Sequence, residues 1–322
     1  MNIIKVFSLF IILSIIGILY DKYLNKNRND ENLSKYDLIQ KYLFNDSTVF
    51  DSRPVLWIHV NHDINSRQWL NFMSKNSNFL NQSYKELCIE SIIKQCSASF
   101  NICIVDDDSF SKVLPNWSVQ MNKLSDPIKT HIRTLGLLKI LYKYGGMLLP
   151  NHFICLKDMI NTHNKLSAYG KSYVSEIVNH NRTHVDRVFV PSTLIVGCEK
   201  NCESMREMIV YLEGVNSSIH NDFYKFESVL NHLYEKIEKY KMNVIPAENI
   251  GIKSGDGQLI SIDEMMGNGP MNLKRNKLGI LIDDEQMQKR LHYGWFLNQS
   301  KKQVLESDVN ISKYLLLSLN HV

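Results

Sequence analysis

Three consecutive aspartates, Asp106, Asp107 and Asp108, follow an apolar segment from Phe100 to Val105 that is typical of a buried strand. Open α/β sheets bind their ligands beyond the carboxyl ends of their strands, where carboxylates can hold a nucleotide ribose or a divalent cation. The alternative is an ordinary acidic turn, in which Asp108 caps a short helix from Phe110 to Leu114. The sequence leaves both interpretations open.

Histidines and cations elsewhere in the chain are further candidates, the histidines for a metal and the cations for a diphosphate. His59 and His62 stand three residues apart, and if one strand runs through both, their side chains point to opposite faces and cannot share a metal. Cations can neutralise a diphosphate leaving group, although exposed charges on a helix surface are the plainer alternative. The candidate positively charged or aromatic residues are His131 and Arg133 in a predicted helix, and Lys289, Arg290, His292 and Trp295 near the C-terminus.

The elements that position these residues follow an α/β pattern. A strand from Pro54 to Val60, a helix capped by Ser83 and the strand ending at Val105 predict a parallel unit with a right-handed crossover. Asp126-Pro127 opens a long helix that runs to Tyr144, and Gly145-Gly146 ends it before a short strand. Further strands are predicted at 188–190, 194–197, 244–246 and 278–282, with helices at 202–213, 222–241 and 302–317. We therefore predict an α/β domain with a mixed sheet.

Composition excludes several classes of protein. The chain has 322 residues, 44% of them hydrophobic and 22% charged, which is typical of a globular protein with one large domain. The net charge is only +4 and like charges form no long run, so no nucleic-acid partner is predicted. The six cysteines include no Cys-x-x-Cys motif, which favours buried thiols over a zinc site and leaves disulfide pairing open.

The N-terminus carries an apolar run from Val6 to Tyr20. Bulky residues stand where a signal peptidase needs small ones. We therefore predict an uncleaved single-pass membrane anchor over residues 1–20, of which residues 3–20 contact the membrane. The alternative is a cleaved signal peptide. A polar stalk is predicted at 21–52 and the folded domain at 53–322. Lys22, Lys26 and Arg28 after the run favour a cytosolic domain, whereas a secretory-pathway enzyme needs the opposite orientation.

One segment supports a resemblance to a known family. Ile132 to Gly146 is an apolar helix ended by the string Leu-Tyr-Lys-Tyr-Gly-Gly, and it continues as Met-Leu-Leu-Pro-Asn-His to His152. This segment resembles the glycosyltransferases with a DXD sugar-binding region, the class of fungal initiating mannosyltransferases and bacterial capsular polysaccharide enzymes. The strands around 55–60, 100–108 and 189–198 are similar to strands of that family. The resemblance covers about residues 55–300 and is strong only over 126–156.

The resemblance implies a GT-A-type fold, a nucleotide-sugar donor, a glycan or glycoprotein acceptor, and a metal ion held by two aspartates after the glycine pair. In this chain those aspartate positions fall on Pro150 and His152, with Asn151 between them, so both carboxylates are missing. The family's upstream Asp and Arg fall on Thr134 and Leu137, and Arg133 can substitute one turn earlier. The donor-binding candidates are His59, Asp106, Asp108, Arg133, Gly145, Gly146 and His152.

The missing carboxylates bear on the expected chemistry. Mg²⁺ and Mn²⁺ prefer carboxylate oxygens, so the usual metal dependence is not expected from positions 150–152. Three alternatives remain: Asp106 and Asp108 supply a relocated metal site, cations such as Arg133, Lys289 or Arg290 replace the metal, or the domain no longer catalyses. The sequence thus predicts either a membrane-anchored glycosyltransferase or an inactive relative that serves as a membrane-tethered binding or structural component. The composition is also similar to that of proteins from large DNA viruses, which extends the predicted location from endomembranes to a virion membrane.

Overall fold

The computed structural model describes residues 42, 50–60, 82–180, 187–218 and 221–320. The predicted anchor at 1–20, most of the predicted stalk at 21–52, and His62 lie outside these residues. Within them, no helix combines the length and the apolar composition needed to cross a membrane. The elements described below belong to the compact unit Phe44–Val322.

The described part of the unit alternates strands and helices. Its strands are β1 (Val55–His59), β2 (Asn101–Val105), β3 (Gly146–Pro150), β4 (Phe153–Cys155), β5 (Ser172–Val178), β6 (Phe189–Cys198), β7 (Met242–Ile245) and β8 (Gly279–Leu281). Its α-helices are α1 (Ser83–Cys96), α2 (Phe110–Val113), α3 (Ile128–Tyr144), α4 (Ile160–Ser167), α5 (Glu203–Ser218), α6 (Asp222–Glu238), α7 (Ile262–Met266), α8 (Asp284–Lys289), α9 (Gly294–Leu297), α10 (Lys301–Glu306) and α11 (Asn310–Asn320).

Six strands form one mixed sheet in the order β2-β1-β3-β6-β5-β7. The pairs β1–β2, β1–β3 and β5–β7 are parallel, whereas β6 is antiparallel to both β3 and β5. Strands β4 and β8 form a separate antiparallel pair. The predicted α/β class with a mixed sheet is confirmed.

Both faces of the sheet are covered. Val55 and Trp57 pack in a core with Leu138 and Leu141 of α3, and the alternate residues Leu56 and Ile58, which point to the other face, are also fully buried. A second core joins α1 and α11 to the β4–β8 pair. Burial on both faces explains why the strands in the first part of the chain read as continuous apolar runs.

Two glycines join α3 to the centre of the sheet. Gly145 and Gly146 have φ angles of 74° and 101°, in the region that L side chains rarely adopt. A Cβ on Gly146 would lie 1.9 Å from the carbonyl oxygen of Val55, and a Cβ on Gly145 would lie 2.7 Å from the backbone nitrogen of Lys200. The buried indole nitrogen of Trp57 donates to the Gly145 carbonyl at 3.0 Å. The glycine pair therefore allows β3 to lie directly against β1.

Several predicted elements differ from the structure, and the strands predicted at 188–190 and 194–197 are the single strand β6. Ser83 is the first residue of α1, and Gln82 holds the cap position without a side-chain cap bond. Strand β5 was not predicted, and it pairs with both β6 and β7. The helix predicted at 302–317 is wrong as one element, because Ser307 adopts an extended conformation that ends α10 and α11 begins at Asn310. The two helix boundaries depend on local cap geometry, which apolar periodicity does not reveal.

We expect Gly146→Ala to lower the free energy of unfolding by at least about 2 kcal/mol, because it combines an unfavourable φ angle with a backbone clash. The control is Gly214→Ala in α5, where an added Cβ meets nothing within 4 Å, so a gain of up to about 1 kcal/mol is expected. Urea unfolding of both variants measures the difference. Equal stability of the two variants would contradict the assigned role of Gly146.

Candidate active site

The carboxyl ends of three parallel strands meet at one edge of the sheet. His59, the last residue of β1, is in register with Val105 of β2 on one side and with Pro150 of β3 on the other. Because neighbouring strands lie about 4.8 Å apart, the residues that follow these three positions reach the same region. Helices α1 and α3 also begin at this edge, since each crosses back from it along the sheet. The geometry brings the predicted aspartate triplet, His59 and His152 to one edge.

Asp107 is the centre of a charged group at this edge. Arg133 Nε and Nη2 donate to its two carboxylate oxygens at 2.8 Å each, a bidentate arrangement. His59 Nε2 lies 3.1 Å from Asp107 Oδ1, and Lys129 Nζ lies 3.3 Å from Oδ2. We call His59, Asp107, Lys129 and Arg133 the Asp107 cluster. With His59 neutral, its two cations and one carboxylate leave a net charge of +1.

Burial and pairing set the protonation states in this cluster. Burial by itself raises the pKa of Asp107, but hydrogen bonds from Arg133 and His59 outweigh it and hold the pKa well below its ordinary range. Burial lowers the pKa of His59, and the hydrogen bond to Asp107 offsets only part of that effect. At neutral pH the cluster therefore contains a carboxylate and a neutral imidazole.

The two outer aspartates of the triplet lie at the same edge but make local contacts of their own. Asp106 turns back on its own chain, where its Oδ1 accepts from Ser109 N at 2.8 Å and from Ser109 Oγ at 2.6 Å. Asp108 is exposed, and its carbonyl oxygen accepts from Ser111 Oγ at 3.0 Å. The predicted cap by Asp108 is wrong, because Ser109 occupies the residue before α2 and Asp106 forms the local turn instead. Asp107 is the acid of the triplet that pairs with both Lys129 and Arg133 of α3.

His152 belongs to a second group at the end of β3. Asp284, at the start of α8, accepts from Tyr84 Oη and from Lys85 Nζ, the latter at 2.8 Å. We call Tyr84, Lys85, His152 and Asp284 the Asp284 cluster, since the charges of Asp284 and Lys85 both act on His152. The His152 carbonyl accepts from Ile282 N at 3.1 Å, which holds the chain before Asp284 beside the end of β3.

Burial also dominates the second cluster. His152 keeps a partly exposed edge, but burial lowers the pKa of its imidazole to about 4, an effect that Asp284 only partly offsets. Burial by itself raises the pKa of Asp284, and the neighbouring Lys85 and His152 reverse the direction, so its net pKa is lowered. Burial, with Asp284 beside it, raises the pKa of Tyr84 well above its ordinary value. Tyr84 therefore stays protonated and donates a hydrogen bond to an ionised Asp284.

Several other residues that the sequence singled out have structural roles away from the two clusters or beside them. Lys289 pairs with Glu285 one turn earlier in α8, and Arg290 Nη1 lies 2.5 Å from Asp263 Oδ2. Pro150 is buried at the end of β3, and Asn151 Oδ1 lies 3.3 Å from His152 Nδ1. Gly145 and Gly146 shape the backbone at the start of β3, at the opposite end of that strand from the edge.

The donor set at positions 150–152 does not fit a divalent metal ion. Pro150 has no side-chain ligand, and the nearby Asp284 carboxylate already binds Lys85 and Tyr84. Within 50–60, 82–180, 187–218 and 221–320, no group of three or more His, Cys, Asp or Glu residues is arranged to hold a metal. Hard cations require several oxygen ligands, which positions 150–152 do not supply.

Sequence reasoning missed several residues of both clusters. Lys129 lies one helical turn before Arg133, a spacing that places both on one face of α3. Asp283 and Asp284 follow a predicted strand, which is the same signal that drew attention to the aspartate triplet. Asp283 caps α8 and lies 2.9 Å from His180 Nε2, and this hydrogen bond raises the pKa of His180. Tyr84 and Lys85 carry no sequence signal, since they join the edge only through the crossover helix α1.

No protein-family model and no curated protein matches the chain. Among solved structures, it is similar to a glycosyltransferase involved in the glycosylation of the major capsid of PBCV-1, with 10% identity and a TM-score of 0.36 over 62% of this chain and 85% of that one. It is also similar to the PaToxG glycosyltransferase, with 13% identity and a TM-score of 0.35 over 58% of this chain and 70% of that one. At this level of superposition, the likeness assigns neither a family nor an activity to the chain.

The Asp107 cluster generates a stability prediction. We expect Asp107→Asn to lower the free energy of unfolding at pH 7 by about 2 kcal/mol, because it leaves the largely buried Arg133 without its carboxylate. The matched control is Asp308→Asn, which removes an exposed partner of Lys313 and should leave stability unchanged. Because the folded pKa of Asp107 is depressed, its contribution is present above about pH 4 and is lost as the pH falls below that value. Chemical denaturation at pH 7 and pH 3 tests both effects; an equal loss at the two pH values would contradict this assignment.

His152 generates a second pH prediction. Its pKa is about 4 in the folded protein, below the ordinary histidine value, so the unfolded chain takes up the proton first and stability falls as the pH drops from 6.5 to 4. We expect His152→Gln to remove on the order of 1 to 2 kcal/mol of the stability loss between pH 7 and pH 4.5. The exposed residue His292 supplies the control variant His292→Gln. We expect His292→Gln to keep the pH dependence of the parent. If His152→Gln keeps it as well, the burial assigned to His152 is wrong.

Proposed function

We propose that the chain binds a nucleoside-diphosphate sugar at the carboxyl edge of β1, β2 and β3 and transfers the sugar to a glycan or protein acceptor. The observation that carries this proposal is the Asp107 cluster, which places two cations and a histidine at the end of three parallel strands. Open α/β sheets bind nucleotides in this position. The GT-A-type assignment and the membrane anchor at residues 3–20 are part of the same proposal.

The charges at the edge suit a diphosphate. Asp107 neutralises one of the two cations of the cluster, which therefore keeps a net positive charge. Lys129 is its more accessible cation, with 28% of its side chain exposed against 12% for Arg133. The first turn of α3 contains no acidic residue. The positive end of the α3 dipole and Lys129 would both attract phosphate oxygens. Asp107 fixes the orientation of Arg133 and His59, and Lys129 is the residue we assign to the phosphates.

Charge compensation without a metal follows from the same residues. When a sugar leaves a nucleoside diphosphate, negative charge builds on the departing phosphate and must be stabilised. Since positions 150–152 do not suit a metal ion, we assign this task to the cations at the edge, Lys129 from α3 and Lys85 from α1. Both lie near the N-terminal ends of helices whose dipoles act in the same direction.

A second candidate function is nucleotide-sugar binding without turnover. The observation that favours it is the engagement of the carboxylates at the edge: Asp107 binds Arg133, Asp284 binds Lys85, and Asp106 binds Ser109. A general base needs a carboxylate or imidazole that is free to reach the acceptor hydroxyl. In this alternative the domain serves as a membrane-tethered binding component.

Nucleotide binding to the full-length chain tests the proposal. We expect calorimetric titration to detect binding of either UDP or GDP. The affinity should be the same in EDTA as in Mn²⁺, because the proposal involves no metal site. Lys129→Met should weaken nucleotide binding by about tenfold. The control is Lys302→Met, which should not change the affinity because 81% of the Lys302 side chain is exposed. The proposal would be contradicted if neither UDP nor GDP binds, or if binding requires Mn²⁺.

Turnover separates the two candidate functions. A protein that binds a nucleotide sugar and releases free nucleotide over time, alone or with an added glycan, is a transferase. A protein that binds the same nucleotide sugar and returns it intact after prolonged incubation is the non-catalytic alternative.

A further inference from the structure

A pocket of about 200 Å³ lies away from the Asp107 cluster, between the sheet and three helices. Its walls come from the end of β5, the first half of β6, the start of α3, and the facing sides of α5 and α6. Leu212 of α5 and Val229, Leu230 and Leu233 of α6 make most of it apolar. An apolar cavity of roughly 150 Å³ is enough to admit benzene, so this pocket has room for a ring or a short alkyl chain.

Lys225 gives the pocket a charge. This residue lines the pocket from α6, among mainly apolar neighbours, and only 7% of it is exposed. No Asp or Glu is among the described residues that line the pocket, so that part of the lining carries no negative charge. An anion in the pocket would pair with the Lys225 ammonium in a charge-assisted contact while its apolar part packs against the neighbouring side chains.

Polar neutral groups line the same pocket. Ser192 and Thr193 of β6 and Asn216 of α5 supply hydroxyl and amide groups, and His131 of α3 adds an imidazole. Such a lining, mostly apolar with a few polar groups and one charge, is typical of small-molecule sites. The combination selects a ligand with an apolar body and one anionic headgroup.

The pocket is distinct from the nucleotide edge, although both involve α3. His131 and Thr134 face the pocket, whereas Lys129 and Arg133 bind Asp107. At 100° per residue, these two pairs occupy opposite sides of the helix. A change at Lys225 therefore leaves the Asp107 cluster intact.

We propose that this pocket binds a small amphiphilic anion, with a carboxylate or phosphate headgroup paired to Lys225 and an aliphatic or aromatic body against α5 and α6. The inference does not depend on the proposed sugar transfer. It would hold equally for a catalytic and a non-catalytic protein.

The test is calorimetric titration of the full-length chain with octanoate, octyl phosphate and 1-octanol. We expect at least one of the two anions to bind at least tenfold more tightly than the alcohol, and the preferred anion identifies the headgroup. Lys225→Met keeps the length of the side chain and removes its charge, so it should weaken anion binding at least tenfold and leave binding of the alcohol unchanged. Lys302→Met is the exposed control and should change neither.

A second measurement keeps the proposal testable if Lys225→Met folds poorly. Octanoate or octyl phosphate should slow acetylation of Lys225 by a lysine-reactive reagent in the unaltered protein, while Lys302 reacts at its original rate. Peptide mass spectrometry reads both sites. Equal affinity for the anions and the alcohol, no binding of either anion, or no protection of Lys225 would overturn the proposal.

Discussion

The close approach of β3 to β1 is the constraint on which the rest of the structure depends. It requires a residue without a side chain at Gly146, whose backbone lies against the carbonyl of Val55, and a second glycine to turn the chain out of α3. The register that results sets His59 beside Pro150 and beside Val105. Three strands consequently end at one level, and the residues after them share one edge.

At that edge, the arrangement of charge is set by helices rather than by strands alone. Helix α3 brings Lys129 and Arg133 to Asp107, and α1 brings Tyr84 and Lys85 to Asp284. In each cluster, the carboxylate is ionised because cations and hydrogen bonds outweigh the effect of burial on its pKa. The edge therefore presents organised cations beside its ionised carboxylates. These cations are the physical basis of the metal-independent proposal.

Helix α3 also separates two environments. One side carries the charged cluster, and the other lines an apolar pocket that contains the buried Lys225. We propose anionic ligands for both, but of different kinds: a highly charged, polar ligand at the sheet edge and an amphiphilic one in the pocket. The two sites can therefore be studied independently by single substitutions.

The sequence by itself determined the α/β class, the long helix before Gly145 and the strands on either side of the aspartate triplet. Apolar runs and glycine punctuation are local signals, so they can be read without knowledge of the fold. Only the tertiary structure decided that Asp107, rather than Asp106 or Asp108, meets Arg133, and that Lys85 and Asp284, far apart in the chain, meet beside His152. Side-chain pairing at a sheet edge depends on strand register and helix packing, which arise from contacts between distant segments and leave no pattern in the sequence.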